Sequence, residues 1–294
     1  MRLTKHQLFG ICLSLLFINL KAQDNSIRED NIQIGSHQMH YYRVGSGSPT
    51  IVLDVGIGET YRDWLPFLEK IANKTQIFCY DRSGYGQSEM GTLPRDSKTE
   101  ADELKALLEK ANIKGPYILV GHSLGALNLQ IFASRNKSEI AGILLIDPPP
   151  LDWILGKGFP KMTELAEQTT RNFESLFENI RNSENESDRQ KADFFKTLAS
   201  EHREMFSNSG KQGAAITSFG DIPLIVIASG KANPQMGEDA EKFQRFWNDQ
   251  CEKLSLKSKN GKYVLAAESS HHIYSDDPDI VLKAINELLS ESKH

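Results

Sequence analysis

Three residues far apart in the chain, Ser123, Asp147 and His271, carry side chains that together can turn an alcohol into a nucleophile. A serine hydroxyl is almost wholly protonated at neutral pH. It needs an imidazole to take its proton during attack and a carboxylate to hold that imidazole. Ser123 stands in Gly121-His122-Ser123-Leu124-Gly125, directly after the apolar run Tyr117-Ile118-Leu119-Val120 and before small and apolar residues at helical spacing. A strand that turns at once into a helix with a serine on the corner is a nucleophile elbow. Gly121 and Gly125 leave room for strand and helix to approach. The Leu124 N–H would open the helix and point at an oxyanion forming beside Ser123. The pentapeptide alone also suits an ordinary N-cap serine, so the strand before it and the helix after it carry the assignment.

The elements that must position these groups alternate along the chain. Residues 32–44 alternate apolar and polar around Gly35-Ser36-His37 and predict two antiparallel edge strands. Thr50 to Val55 is a buried strand followed by Gly56-Ile57-Gly58. Tyr61 to Ala72 carries Trp64, Leu65, Leu68 and Ile71 at helical spacing, and Gln76 to Tyr80 is the next strand. Asp81 then begins a glycine- and serine-rich turn, where its carboxylate suits loop bracing better than acid catalysis. Ser97-Lys98-Thr99-Glu100 reads as a capping box. Ala141 to Ile146 is a strand ending at Asp147-Pro148-Pro149-Pro150, and three prolines stop pairing abruptly. Residues 148–219 contain no strand pattern and predict a helical cap with Met162, Leu165, Phe173, Leu176 and Phe177 at three- and four-residue spacing. Strands resume at Ile222 to Ser229 and Tyr263 to Ala266; Asp239 to Leu256 is helical, and Asp277-Pro278 opens a last helix. Such alternation predicts a mostly parallel sheet with helices on both faces.

Arg2, Lys5 and His6 precede an apolar block from Leu8 to Leu20, which predicts a secretory signal over residues 1–22, cleaved near Ala22. About 13 apolar residues are too few to span a bilayer that needs roughly 20, so no stable membrane anchor is expected. Cleavage removes three basic and no acidic residues and moves the net charge from −5 to −8, which disfavours nucleic acid as partner. Cys79 and Cys251 do not predict a disulfide framework. No metal-ligand spacing and no dinucleotide fingerprint is present, so no cofactor is implied.

The segments IVLDVGIGE, CYDRSGYGQSE, LVGHSLGAL, ILLIDPP and ESSHHIYSDDP occur in an order that resembles the α/β-hydrolase fold family over nearly the whole mature length. The resemblance implies an eight-stranded, mostly parallel sheet flanked by helices. The core would span residues 23–147 and 220–294, and the cap 148–219. It implies Ser123 as nucleophile, His271 rather than His272 as base, and Ile57 and Leu124 as oxyanion donors. His122 would be structural. Many members carry the acid after the penultimate strand, where this chain has no carboxylate until Glu238; Asp147 is therefore assigned, with Glu238 or Asp239 as the alternative. The expected activity is hydrolysis of an ester, thioester or lactone through a Ser123 acyl-enzyme. Trp153, Phe159, Phe173 and Phe177 are the candidate contacts to a small-molecule substrate with an apolar group. A peptidase, a carbon–carbon hydrolase and a secreted binding protein without turnover are the alternatives on the same fold. Halide and epoxide hydrolysis would need a carboxylate where Ser123 stands. The sequence sets no oligomeric state.

Overall fold

A computed structural model describes residues 27–292; the export signal expected over residues 1–22 lies outside the described residues. The strands are β1 (Arg28–Ile34), β2 (His37–Val44), β3 (Thr50–Asp54), β4 (Ile77–Tyr80), β5 (Tyr117–His122), β6 (Ile140–Ile146), β7 (Leu224–Ser229) and β8 (Gly261–Ala266). They form one eight-stranded sheet in the order β1-β2-β4-β3-β5-β6-β7-β8. β1 and β2 make the expected hairpin, and every pairing from β4 onward is parallel. β2 also pairs antiparallel with β4, so it is an interior strand rather than the second edge that its alternating pattern suggested. Tyr41 packs on one of its faces and Tyr42 and Val44 on the other, a two-sided burial that the alternating pattern concealed.

The helices are α1 (Leu65–Leu68), α2 (Ser97–Lys110), α3 (Leu124–Arg135), α4 (Leu151–Ile154), α5 (Pro160–Ile180), α6 (Glu186–Glu204), α7 (Gly210–Ala214), α8 (Ala240–Ser255), α9 (Ile273–Asp276) and α10 (Pro278–Glu291). They cover both faces of the sheet. On β5, Leu119 packs in the cluster that holds Leu104 and Leu107 of α2 and Phe132 of α3. Its neighbours Ile118 and Val120 belong to the opposite cluster, with Ile285 and Leu288 of α10. A strand buried on both faces reads as a continuous apolar run, and each such side chain contributes about 1.5–3 kcal/mol.

Two helix starts differ from expectation. Asp96, not Ser97, caps α2: its carboxylate accepts from Thr99 N at 2.8 Å and its backbone is extended, while Ser97 is already helical. The helix expected over Tyr61–Ala72 is a 3₁₀ turn, Tyr61–Trp64, followed by the single turn α1. Tyr61 and Trp64, three residues apart, are both buried from the 3₁₀ turn, Phe67 and Leu68 are buried from α1, and Pro66 has no N–H to continue the hydrogen bonding.

Between β6 and β7 the chain forms α4 to α7, with α5 packed on α6. These helices are tied to the segment that opens α2. Arg95 N donates to Ser200 Oγ at 3.0 Å, Ser97 N to Ser209 Oγ at 2.8 Å, and Gln212 Nε2 to Asp96 Oδ2 at 2.8 Å.

Candidate active site

The elbow is built by a conformation that few side chains adopt. Ser123 sits at φ 51°, ψ −120°, immediately before the first residue of α3, and its N–H donates to Ile146 O at 3.0 Å. A serine at positive φ is strained and persists only where its surroundings over-determine it. The two glycines supply that surrounding. A Cβ on Gly121 would lie 2.6 Å from Ala126 Cα, and one on Gly125 would lie 2.2 Å from Asp54 O and 2.6 Å from Val55 O. α3 therefore starts hard against the end of β3. Leu124 is its first residue, where backbone N–H groups are free of intrahelical partners and the helix dipole favours negative charge. Ile57 lies in the loop that leaves β3, half-buried against the core.

Asp147, one residue beyond β6, also has positive φ (46°) and is 2% exposed. Its Oδ1 accepts from Ser229 N at 2.9 Å, and its Oδ2 accepts from Ser229 Oγ at 2.9 Å and from His271 Nδ1 at 2.6 Å. The carboxylate can only accept, so Nδ1 carries the imidazole proton and Nε2 presents its lone pair. The Ser123 hydroxyl lies 2.9 Å from that Nε2 and donates to it. The ends of β5 and β6 and the loop after β8 thus bring three side chains, separated by up to 148 residues, into one continuous relay. Burial pushes the His271 imidazole down. The Asp147 hydrogen bond and charge, with the Glu59 charge, more than reverse this and leave its pKa above the ordinary histidine value. Of the alternative acids, Glu238 is solvent-exposed and Asp239 faces Lys161 at 3.9 Å; His271 takes Asp147 instead.

Glu59 carries no signal of its own in the sequence beyond following Gly58, yet it braces three parts of the site. Its Oε2 accepts from Gly56 N at 2.8 Å, from His122 Nδ1 at 3.1 Å and from Trp64 Nε1 at 3.3 Å. His122 Nε2 in turn donates to the His271 carbonyl at 3.0 Å. The residue before the nucleophile therefore ties the loop after β3 to the loop that carries His271. Burial raises the Glu59 carboxyl, but the His122 hydrogen bond and charge, with the Gly56 and Trp64 donors, pull its pKa down to about 2. His272 is more exposed and stands 3.6 Å from Glu59 Oε1. Asp81 accepts from Gln87 N at 3.0 Å and so braces its own loop.

The candidate substrate-contact aromatics divide. Trp153 is buried among Phe206, Phe243 and Trp247, and Trp247 stands edge-on to His271 with ring centroids 5.9 Å apart. Phe159 packs on Phe243 and Phe246. Phe173 and Phe177 make their ring contacts within the insertion, on His202 and under Lys196, and are not brought to the relay. The ring nearest the imidazole on this side, Trp247, comes from α8, a helix whose apolar stripe reads in sequence as ordinary core packing. Among the described residues, no group of three or more His, Cys, Asp or Glu is arranged to hold a metal ion.

Residues 49–184 match the family model described as alpha/beta hydrolase fold. The uncharacterized protein YqjL of Bacillus subtilis is 31% identical over 252 residues, 85% of this chain and 86% of that protein. Among solved structures, a thermophilic esterase from Thermogutta terrifontis superposes with a TM-score of 0.65 at 15% identity, covering 90% of this chain and 99% of that one. The haloalkane dehalogenase DbeA from Bradyrhizobium elkani superposes with a TM-score of 0.69 at 14% identity, covering 91% and 99%. At such identities the likeness of the two structures is one of fold.

Proposed function

The chain belongs to the alpha/beta hydrolase fold family, and from that premise we propose that it is an exported serine hydrolase that cleaves an ester-type carbonyl substrate through a Ser123 acyl-enzyme. The observation that carries this reading is the unbroken relay from Ser123 Oγ to His271 Nε2 (2.9 Å) and from His271 Nδ1 to Asp147 Oδ2 (2.6 Å). In the first half-reaction the Ser123 O–H proton passes to Nε2 as Oγ bonds to the carbonyl carbon, and the carbonyl electron pair moves to oxygen. The Leu124 and Ile57 N–H groups stabilise that oxyanion. Collapse of the tetrahedral intermediate breaks the bond to the leaving group, which takes the proton from Nε2. Water, deprotonated by the same nitrogen, then attacks the acyl carbon, and as the second tetrahedral intermediate collapses the bond to Oγ breaks, Oγ takes the proton back from Nε2 and the acid is released.

The elbow residue is an alcohol, which directs this site to acyl transfer and away from the displacement chemistry named for the dehalogenase of similar fold. The aromatic run Phe159, Phe243, Trp153 and Trp247, leading to His271, suits a small-molecule substrate with an apolar group. Export is supported by the charged-then-apolar pattern of residues 1–22. Among the described residues no helix is long and apolar enough to cross a membrane.

A fluorophosphonate probe tests the reading directly. Wild type is expected to label covalently and to hydrolyse p-nitrophenyl butyrate, and Ser123→Ala to do neither. A wild type that neither labels nor turns over any of a panel of short and long acyl esters, thioesters and lactones overturns it.

A further inference from the structure

Arg82 is 1% exposed, and its guanidinium spends all five N–H donors on protein acceptors. Nη1 donates to Asp54 Oδ1 at 2.7 Å and to the Val55 carbonyl at 2.6 Å. Nη2 donates to the Gly56 carbonyl at 2.9 Å and to Glu201 Oε2 at 3.3 Å, and Nε donates to Glu201 Oε1 at 2.9 Å. The Tyr85 hydroxyl closes the set by donating to Glu201 Oε2 at 2.5 Å. Three of the five bonds hold the end of β3 and the two carbonyls that follow it. The other two reach across 119 residues to α6, in the helical insertion.

The Gly56 carbonyl belongs to the same peptide unit as the Ile57 N–H. In a trans peptide those two groups point in opposite directions, so anchoring the oxygen fixes where the N–H aims. The N–H of Gly56 is fixed as well, by Glu59 Oε2 at 2.8 Å. We infer that Arg82 is a positioning residue for the Ile57 oxyanion donor, and that Glu201 makes this donor's alignment depend on docking of the inserted helix α6. A bidentate carboxylate sets the plane of a guanidinium, and that plane determines which carbonyls its remaining donors can reach. The helical insertion then does more than cover the site, because one of its side chains completes the hydrogen bonding behind the oxyanion loop. Substrates that bind between insertion and core would meet an aligned oxyanion hole only where α6 is seated. This inference rests on the acyl-enzyme reading of Ser123.

The test uses Glu201→Gln, which keeps the size of the side chain and one acceptor oxygen but loses the charge and the bidentate grip. Tyr85→Phe is the milder companion, since it removes the hydroxyl that holds Glu201 and leaves the loop carbonyls untouched. Active sites are titrated with the fluorophosphonate so that rates refer to folded enzyme, and p-nitrophenyl butyrate hydrolysis and inhibition by an alkyl boronic acid are measured. Loss of a whole oxyanion donor costs about 10²–10³ in kcat, so misalignment of one is expected to cost about tenfold or more in Glu201→Gln. KM should stay within about twofold, and boronate affinity, which reports the tetrahedral adduct, should fall by a factor similar to kcat. A merely structural link would lower the melting temperature and the titrated fraction while leaving kcat per site and boronate affinity near wild type, and that result overturns the inference. If Glu201→Gln does not fold, Glu201→Asp, which keeps the charge but is too short to grip Arg82 from the same backbone position, takes its place, with unchanged kcat per site again overturning the inference. A wild type that fails to label and to turn over sinks the acyl-enzyme reading and this inference with it; a wild type that does both, beside variants of unchanged kcat, sinks this inference alone.

Discussion

Replacing Asp147 by Asn is expected to leave the fold standing and to remove most of the activity. In the structure Oδ1 accepts from Ser229 N, while Oδ2 accepts from both Ser229 Oγ and His271 Nδ1. An asparagine can keep its carbonyl oxygen on Ser229 N only by placing its NH₂ where Oδ2 was, facing two donors. The Ser229 hydroxyl can rotate, but the imidazole must move its proton from Nδ1 to Nε2, and Nε2 then opposes the Ser123 hydroxyl as a donor. The same exchange in the serine protease triad costs about 10⁴ in kcat, equivalent to about 5 kcal/mol of transition-state stabilisation, and three to four orders of magnitude is the expectation here. A second readout follows from the sign of the His271 shift. The base works only when neutral, so wild-type kcat/KM should fall as pH drops through a value above the ordinary histidine 6.5. Asp147 supplies the two largest raising effects on that imidazole, so in Asp147→Asn the acid limb should move to lower pH. The assay is p-nitrophenyl butyrate hydrolysis from pH 4 to 9, normalised by melting temperature and by a control, Glu238→Gln, expected to lie within about twofold of wild type. An Asp147→Asn enzyme within tenfold of wild type, or a Glu238→Gln enzyme that loses most of its turnover, would refute the assignment.

Two further outcomes follow from geometry. Gly125→Ala should destabilise the protein by about 3 kcal/mol or more, because its Cβ would meet the rigid backbone of Asp54 and Val55, whereas Gly142→Ala, facing the movable Leu288 side chain at 3.0 Å, should cost about 1 kcal/mol; equal melting temperatures for the two would contradict the close approach of α3 to β3. Glu59→Gln should lower stability at neutral pH by roughly 3 kcal/mol, since a carboxyl depressed from 4.5 to about 2 stabilises the fold above pH 4.5 and loses that contribution as pH falls toward 2. Urea unfolding at a series of pH values should therefore show the gap to wild type narrowing below pH 4.5, and a gap independent of pH would remove Glu59 from its role as an ionised brace.

What is encoded within a few residues could be read from the chain alone: the alternation of buried strands with amphipathic helices, the glycine-bounded corner at Ser123, and the prolines that follow Asp147 and stop β6. Apolar periodicity and turn chemistry act locally, so Tyr117 to Leu127 read as strand, elbow and helix without knowledge of the rest of the fold. Where local signals were degenerate, tertiary packing chose. Asp96 and Ser97 can both cap a helix, and only the docking of the α2 start on Ser200 and Ser209 puts Asp96 in the extended position. The spacing of Tyr61, Trp64 and Phe67 suits a 3₁₀ turn as well as an α-helix. The aromatics of the insertion look alike in sequence, and only the fold sends Trp153 of α4 toward Trp247 and His271 while leaving Phe177 of α5 under Lys196. Apart from the Asp147–His271 pair, the partners of buried charge were not legible. Arg82 and Glu201 are separated by 119 residues, and nothing in either neighbourhood names the other. A lone buried charge is costly, so such a pair exists only where the finished fold brings both ends together and water is excluded from between them.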